Sequence, residues 1–151
     1  MKKLHFSILI NAPREKVWNT MLDDATYRQW TAPFNPGGSY YEGSWDEGAE
    51  IRFLGPSQDG SEVGGMLSRI KENRLHEFLS IEHIGLIQNG VADTTSDAVK
   101  AWVPAFENYT FIDKDGGTEL RVEMDSNEEF ADMFSDAWPK ALEVLKGLAE
   151  H

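Results

Sequence analysis

Ser126-Asn127-Glu128-Glu129-Phe130-Ala131-Asp132-Met133-Phe134-Ser135-Asp136-Ala137-Trp138-Pro139-Lys140-Ala141-Leu142-Glu143-Val144-Leu145-Lys146-Gly147-Leu148 reads as one long amphipathic helix. Phe130, Met133, Phe134, Ala137, Trp138, Ala141, Leu142, Leu145 and Leu148 recur at steps of three and four, the period of a helix with a buried face. Ser126 followed by Glu129 reads as a capping box for the first turn. Pro139 sits inside the pattern. A proline there removes a backbone donor and pushes its ring against the carbonyl four residues back, at about 3 kcal/mol in a regular helix. The sequence therefore predicts a kink or restart near 135–138, with Asp136 capping the second part.

A helix with so large an apolar face needs an opposing layer, and the rest of the chain supplies strands. Leu4, Phe6, Ile8 and Ile10 share one parity against Lys3, His5, Ser7 and Asn11, the period of a half-buried strand. Pro13 suits a first helical position, and Val17, Trp18, Met21 and Leu22 form an apolar stripe to about Leu22. Asp23 or Asp24 caps a second short helix through Trp30, which Pro33, Pro36, Gly37 and Gly38 end. Strands follow through Tyr41–Trp45, Ile51–Phe53, Met66–Lys71 and Phe78–Ile84, with turns at Asp46–Gly48 and Pro56–Gly60. Tyr109–Ile112 and Leu120–Met124 pair across a turn at Asp113–Gly117. Gln88–Phe106 reads as a long connection without strong periodicity, with Thr95 or Ser96 capping a short helix. Segregated strands and helices predict an α+β fold with an antiparallel sheet, one domain over 1–151.

Composition narrows the function classes. Fourteen Lys and Arg face 26 Asp and Glu, a net charge of −12. No basic stripe exists for nucleic-acid phosphates, and an anionic membrane would repel the chain. The absence of cysteine removes thiol nucleophiles, disulfides and cysteine-ligated metals. Met1-Lys2-Lys3 is not followed by a signal-peptide apolar core, and no apolar run reaches the roughly 18 residues of a spanning helix. A cytoplasmic protein without membrane insertion is expected.

Chemical motifs are scarce. No His-Glu-x-x-His or Gly-x-Ser-x-Gly occurs. Asp113-Lys114-Asp115-Gly116 lacks the remaining ligands of a calcium loop, and Gly64-Gly65 precedes no Lys-Ser/Thr. His83 and Glu82 are strand neighbours that point to opposite faces, so they form no dyad. Glu107 stands where it can present a carboxylate at a cavity mouth, and acid–base work would need its environment to tune it. No catalytic, metal or cofactor residue is assigned. What stands out is an aromatic and methionine set, Trp30, Phe34, Trp45, Phe53, Met66, Trp102, Tyr109, Phe111, Met133, Phe134 and Trp138. It either fills a solid core or lines an apolar pocket between helix and sheet.

The opening Ile8-Leu9-Ile10-Asn11-Ala12-Pro13-Arg14-Glu15-Lys16-Val17-Trp18, with Tyr27-Arg28-Gln29-Trp30 after it, resembles the helix-grip superfamily of START-type lipid-transfer domains, polyketide cyclases and birch-pollen allergens. Gly43-Ser44-Trp45-Asp46-Glu47-Gly48 and Trp138-Pro139-Lys140-Ala141-Leu142-Glu143-Val144-Leu145-Lys146 look like its branch of homologues of the 90-kDa heat-shock-protein ATPase activator. The resemblance implies a curved antiparallel sheet gripping the C-terminal helix around a hydrophobic cavity. It implies a hydrophobic small-molecule ligand for the aromatic set, with a cyclase- or dehydratase-type enzyme and a chaperone-associated protein as alternatives. Nothing in the residues themselves supports a chaperone partner: the chain starts at its first strand, where the eukaryotic activators carry a further domain. Trp102 is expected to anchor a gate over the cavity.

Overall fold

The computed structural model describes residues 2–35, 37–56 and 61–151. Strand β1 (Lys2–Ile10) leads into helices α1 (Arg14–Leu22) and α2 (Asp24–Trp30) and a single 3-10 turn, Ala32–Phe34. Strands β2 (Tyr40–Gly43), β3 (Glu50–Pro56), β4 (Val63–Arg74), β5 (Phe78–Gln88) and β6 (Val91–Asp93) follow. Then come the short helix α3 (Asp97–Lys100), strands β7 (Ala105–Lys114) and β8 (Gly117–Ser126), and helix α4 (Glu128–Ala149). Every strand pairing is antiparallel, in the order β1-β8-β7-β5-β4-β3-β2, with β6 added beside the end of β5. The α+β, helix-grip reading of the sequence therefore holds. The turn expected from Pro56 to Gly60 starts at the end of β3 and then lies outside the described residues, as does Pro36.

Register assigns the faces. Across one row Leu4 of β1 meets Met124 of β8, which meets Glu107 of β7. Glu107 pairs with Ile81 of β5, and Ile81 with Ile70 of β4. The next rows carry Phe6, Val122, Tyr109 and Leu79, then Ile8, Leu120 and Phe111. These residues form the concave face, and nearly all are buried.

Helix α4 lies on that face with Trp138 at its centre. The Trp138 ring stacks on Phe6 at 5.8 Å and meets Phe34, Trp30 and Tyr109 at 4.9, 6.0 and 6.0 Å between centroids. Its indole Nε1–H donates to Met124 Sδ at 2.9 Å. Helix α2 is tied to α1 by the Trp30 indole, which donates to the Met21 carbonyl at 2.9 Å.

Three expectations need correction. The helix does not restart at Pro139: α4 is a single 22-residue element with the proline inside it. Trp138, Leu142 and Leu145 are buried on or after that turn. Re-aiming them would forfeit about 2 kcal/mol each, more together than the roughly 3 kcal/mol a proline costs. Asp136 caps nothing and instead pairs with Lys140 at 3.0 Å. The helix cap is Asn127, whose Oδ1 accepts the Phe130 N–H at 3.0 Å; Ser126 belongs to β8 and the Glu129 side chain lies outside the described set. The long connection Gln88–Phe106 carries the short helix expected of it and adds a strand. Asn89 and Gly90, both at positive φ, turn β5 back into β6, and Ser96 caps α3 through the Val99 N–H.

Pro139 is exposed, so little buried surface is lost with its ring. Pro139→Ala restores a donor to the Ser135 carbonyl and removes the ring clash, and should raise stability by about 1–2 kcal/mol. Urea unfolding of the two chains measures it. A loss of stability would mean that the core needs the proline's local geometry.

Candidate functional site

A cavity of about 290 Å³ opens between α2, the 3-10 turn and the first half of α4 on one side and β3, β4, β5 and β7 on the other. Trp30 and Phe34 line it from the helical layer, Phe134 and Trp138 from α4, and Phe53, Met66 and Tyr109 from the sheet. Trp45, just after β2, and Trp102, just after α3, complete the aromatic wall.

Two expected members lie elsewhere. Phe111 is 2% exposed but packs against Trp18 at 5.1 Å, one row beyond Tyr109 and outside the cavity. Met133 is 48% exposed. It sits five residues before Trp138, which on a helix of 3.6 residues per turn rotates it about 140° from the residue that faces the sheet.

The far end of the cavity is backbone. Gly55, Gly64 and Gly65 line it where β3 meets β4. Gly65 stands at φ +154°, and a Cβ there would lie 1.8 Å from the Phe53 carbonyl oxygen, so no side chain fits. The strand ends close tightly without filling the pocket.

The polar content is small and organised. Ser68 Oγ lies 2.7 Å from His83 Nδ1, His83 Nε2 lies 3.2 Å from Glu107 Oε1, and the Tyr109 hydroxyl donates to Glu107 Oε2. His83, Glu107 and Tyr109 line the cavity, while Ser68 is fully buried behind them. The Trp102 ring stacks on the His83 ring at 5.6 Å. Glu82, the sequence neighbour of His83, pairs instead with Arg69 at 2.9 Å, as the strand alternation required. Asp125, the other carboxylate on the wall, accepts the Phe106 N–H at 3.0 Å and pairs with Lys3 at 3.3 Å. One donor has no acceptor among the described residues, the buried indole N–H of Trp45.

In the sequence His83 and Glu107 stand 24 residues apart, with nothing to join them. They share a face only through the β5–β7 register, which pairs His83 with Ala105 and Ile81 with Glu107 and so sets them diagonally. Strand β6 and helix α3 intervene in the chain, so spacing carries no signal for that register. Tyr27 and Ile81, also on the wall, are not in the aromatic and methionine set that the sequence singles out. No cluster among the described residues has the makeup of a metal site.

Comparison with known proteins places this architecture. The sequence matches the family described as Activator of Hsp90 ATPase homolog 1-like protein over residues 11–150, and the chain belongs to that family. Curated proteins give no match. A solution structure from Cytophaga hutchinsonii superposes with a TM-score of 0.71 at 19% identity, covering 99% of this chain and 94% of that one. An AHSA1-like protein from Aeromonas hydrophila superposes at 0.70 and 17%, covering 99% and 92%. A crystal structure from Chromobacterium violaceum gives 0.70 and 16%, with 100% and 99% covered. At these identities the likeness is one of fold. No helix among the described residues is long and apolar enough to cross a membrane.

The cavity wall carries a pH signature. Burial first, then the Glu107 charge and the hydrogen bond to it, push the Tyr109 phenol well above its ordinary value. Burial first, then Glu107, raises Tyr27 as well. An unfolded chain ionises its tyrosines near pH 10, while these two hold their protons in the fold. Their stabilisation is therefore complete below about pH 10 and is lost above it, at about 2.7 kcal/mol per pH unit for two protons. Urea unfolding between pH 9 and 11.5 should show that fall, and Tyr27→Phe should halve its slope. A flat profile contradicts the assignment.

Proposed function

We propose that this family member binds a small, mainly apolar molecule in the cavity between α4 and the sheet. The observation that carries the reading is the cavity itself: about 290 Å³, walled by aromatic side chains from both layers with a few convergent polar groups. That volume stands at the lower edge of drug-sized pockets, so the ligand is small. Trp102, half-buried between α3 and β7 and stacked on His83, serves as its gate.

Removing about 200–300 Å² of apolar ligand surface from water yields roughly 5–8 kcal/mol. Immobilising the ligand takes several kcal/mol back, which leaves about 3–4 kcal/mol and an affinity on the order of millimolar. A fused-ring probe such as 2-naphthol should therefore quench the tryptophans saturably, with acyl and sterol-like compounds tested beside it. Met66→Trp fills the cavity from β4 and should abolish saturable binding by calorimetry. Met133→Trp, on the exposed side of α4, should leave it unchanged. Lack of saturation by every probe, or saturation that survives Met66→Trp, overturns the reading.

A second reading has one observation behind it. The His83–Glu107 pair on the cavity wall is the convergent polar pair that a cyclase- or dehydratase-type enzyme would need. Glu107 would accept a proton from a carbon acid while His83 orients its carboxylate. In D2O, an aryl β-diketone should then exchange its enolisable protons faster than in buffer, and Glu107→Gln should remove the excess. Exchange at the buffer rate would leave the binding reading alone.

A further inference from the structure

We propose that the ligand of this cavity is a cation, a small alkylated or quaternary ammonium with an apolar body, and that Glu107 is its counter-ion. The inference rests on the binding reading above and names the class of ligand within it.

Hydrogen-bond bookkeeping around Glu107 leads there. Ser68 is fully buried, and His83 Nδ1 is the partner its hydroxyl meets among the described residues. If Ser68 donates to Nδ1, that nitrogen is bare and the proton of a neutral ring sits on Nε2, which then donates to Glu107. A doubly protonated ring would make Ser68 an acceptor and strand its buried hydroxyl hydrogen, at the cost of an unmade hydrogen bond. The satisfied arrangement is thus Ser68 to His83 to Glu107, with Tyr109 donating to the other carboxylate oxygen. The two donors that reach the carboxylate, His83 Nε2–H and the Tyr109 hydroxyl, are both neutral in this arrangement.

The charge is left without a partner. No lysine or arginine lines the cavity among the described residues. Asp125 has Lys3 and a backbone N–H; Glu107 has neither. A carboxylate offers about four acceptor positions, of which two are taken here. Its side chain keeps 16% of its surface, and it lies on the cavity wall. An anion in an apolar enclosure is costly until a cation joins it. The rest of the wall suits such a partner, since tryptophan and tyrosine rings attract alkylammonium groups by their quadrupoles as well as by contact. The net charge of −12 draws cations toward the molecule and disfavours anions.

Three ligands of one shape separate the possibilities: phenyltrimethylammonium, its neutral isostere tert-butylbenzene, and benzenesulfonate. Calorimetry at physiological ionic strength should rank the cation about tenfold or more above the neutral isostere, with the anion weakest. Glu107→Gln should bring cation and isostere to within about threefold of one another. In the unmodified chain, N-methyl protons of the bound cation should give NOEs to Trp102 or Tyr109 ring protons, a readout that does not depend on how the variant folds. Equal or tighter binding of tert-butylbenzene overturns the cation proposal and leaves the binding reading standing. Cation binding without those NOEs assigns the ion to the acidic surface and overturns the proposal too. Binding of none of the three overturns it together with the cavity reading.

Discussion

One helix is too narrow for this sheet. With side chains an α-helix is about 10–12 Å across. Seven hydrogen-bonded strands in a row span roughly 29 Å at their usual spacing of about 4.8 Å. Helix α4 therefore covers only part of the concave face, where Trp138 reaches Phe6 of β1, Met124 of β8 and Tyr109 of β7. The remainder must be roofed by whatever else the chain supplies: α1 packs Trp18 on Phe111, and α2 with the 3-10 turn covers the other end. Two roofing pieces of different origin meet over β3, β4 and β5, and the gap between them is the cavity. The pocket thus follows from the mismatch of widths, and its aromatic lining is the large apolar area that both roof and floor had to carry in any case.

Local backbone irregularities then decide what lines the gap. Between Leu67 and Ser68 the β4–β5 register shifts, so that Leu67 faces Gly85 but Ser68 faces His83, with Ile84 bulged out between them. A second shift lies between Ile70 and Glu72. The two bulges bracket a short stretch in which Ser68 and Ile70 of β4 share the concave face with His83 and Ile81 of β5. Met66, beyond the first bulge, keeps the same face. A bulge reverses the parity of everything past it on its strand, which is how Ile84 and Ile87 come to pack with Leu54 and Leu67 in a separate small cluster.

These features mark the boundary of what the amino-acid sequence discloses. The period of α4, the alternation in β1 and the Asp115-Gly116 turn between β7 and β8 are local patterns, and each is where the sequence placed it. Pro139 misled because its local penalty is smaller than the burial of Trp138, Leu142 and Leu145 that a continuous helix secures. Met133 misled because membership in an apolar repeat was taken as facing the sheet, whereas its angular position on the helix already turns it outward. Asn89-Gly90 is legible in the sequence: this dipeptide between apolar runs is a strong hairpin mark, and it folds β6 back onto β5. The Ser68–His83–Glu107 chain was not legible at all. It depends on a bulge and on a register set across two intervening elements.

That network is also not what a core alone would select. Three apolar side chains at these positions would bury surface at no desolvation cost, and replacing buried polar or ionic groups by well-packed apolar ones is often neutral or stabilising. The concave row of Ile8, Leu120 and Phe111 shows that alternative in place. On the cavity wall the lining turns polar, with His83 and Tyr109 both donating to Glu107 and Ser68 behind His83. A network that merely tolerated burial would close on itself, each acceptor matched by a charge or a donor of the fold. This one ends in a carboxylate that faces the cavity with acceptor positions to spare. In the binding proposal its sense is completed by the molecule that enters the cavity rather than by the protein.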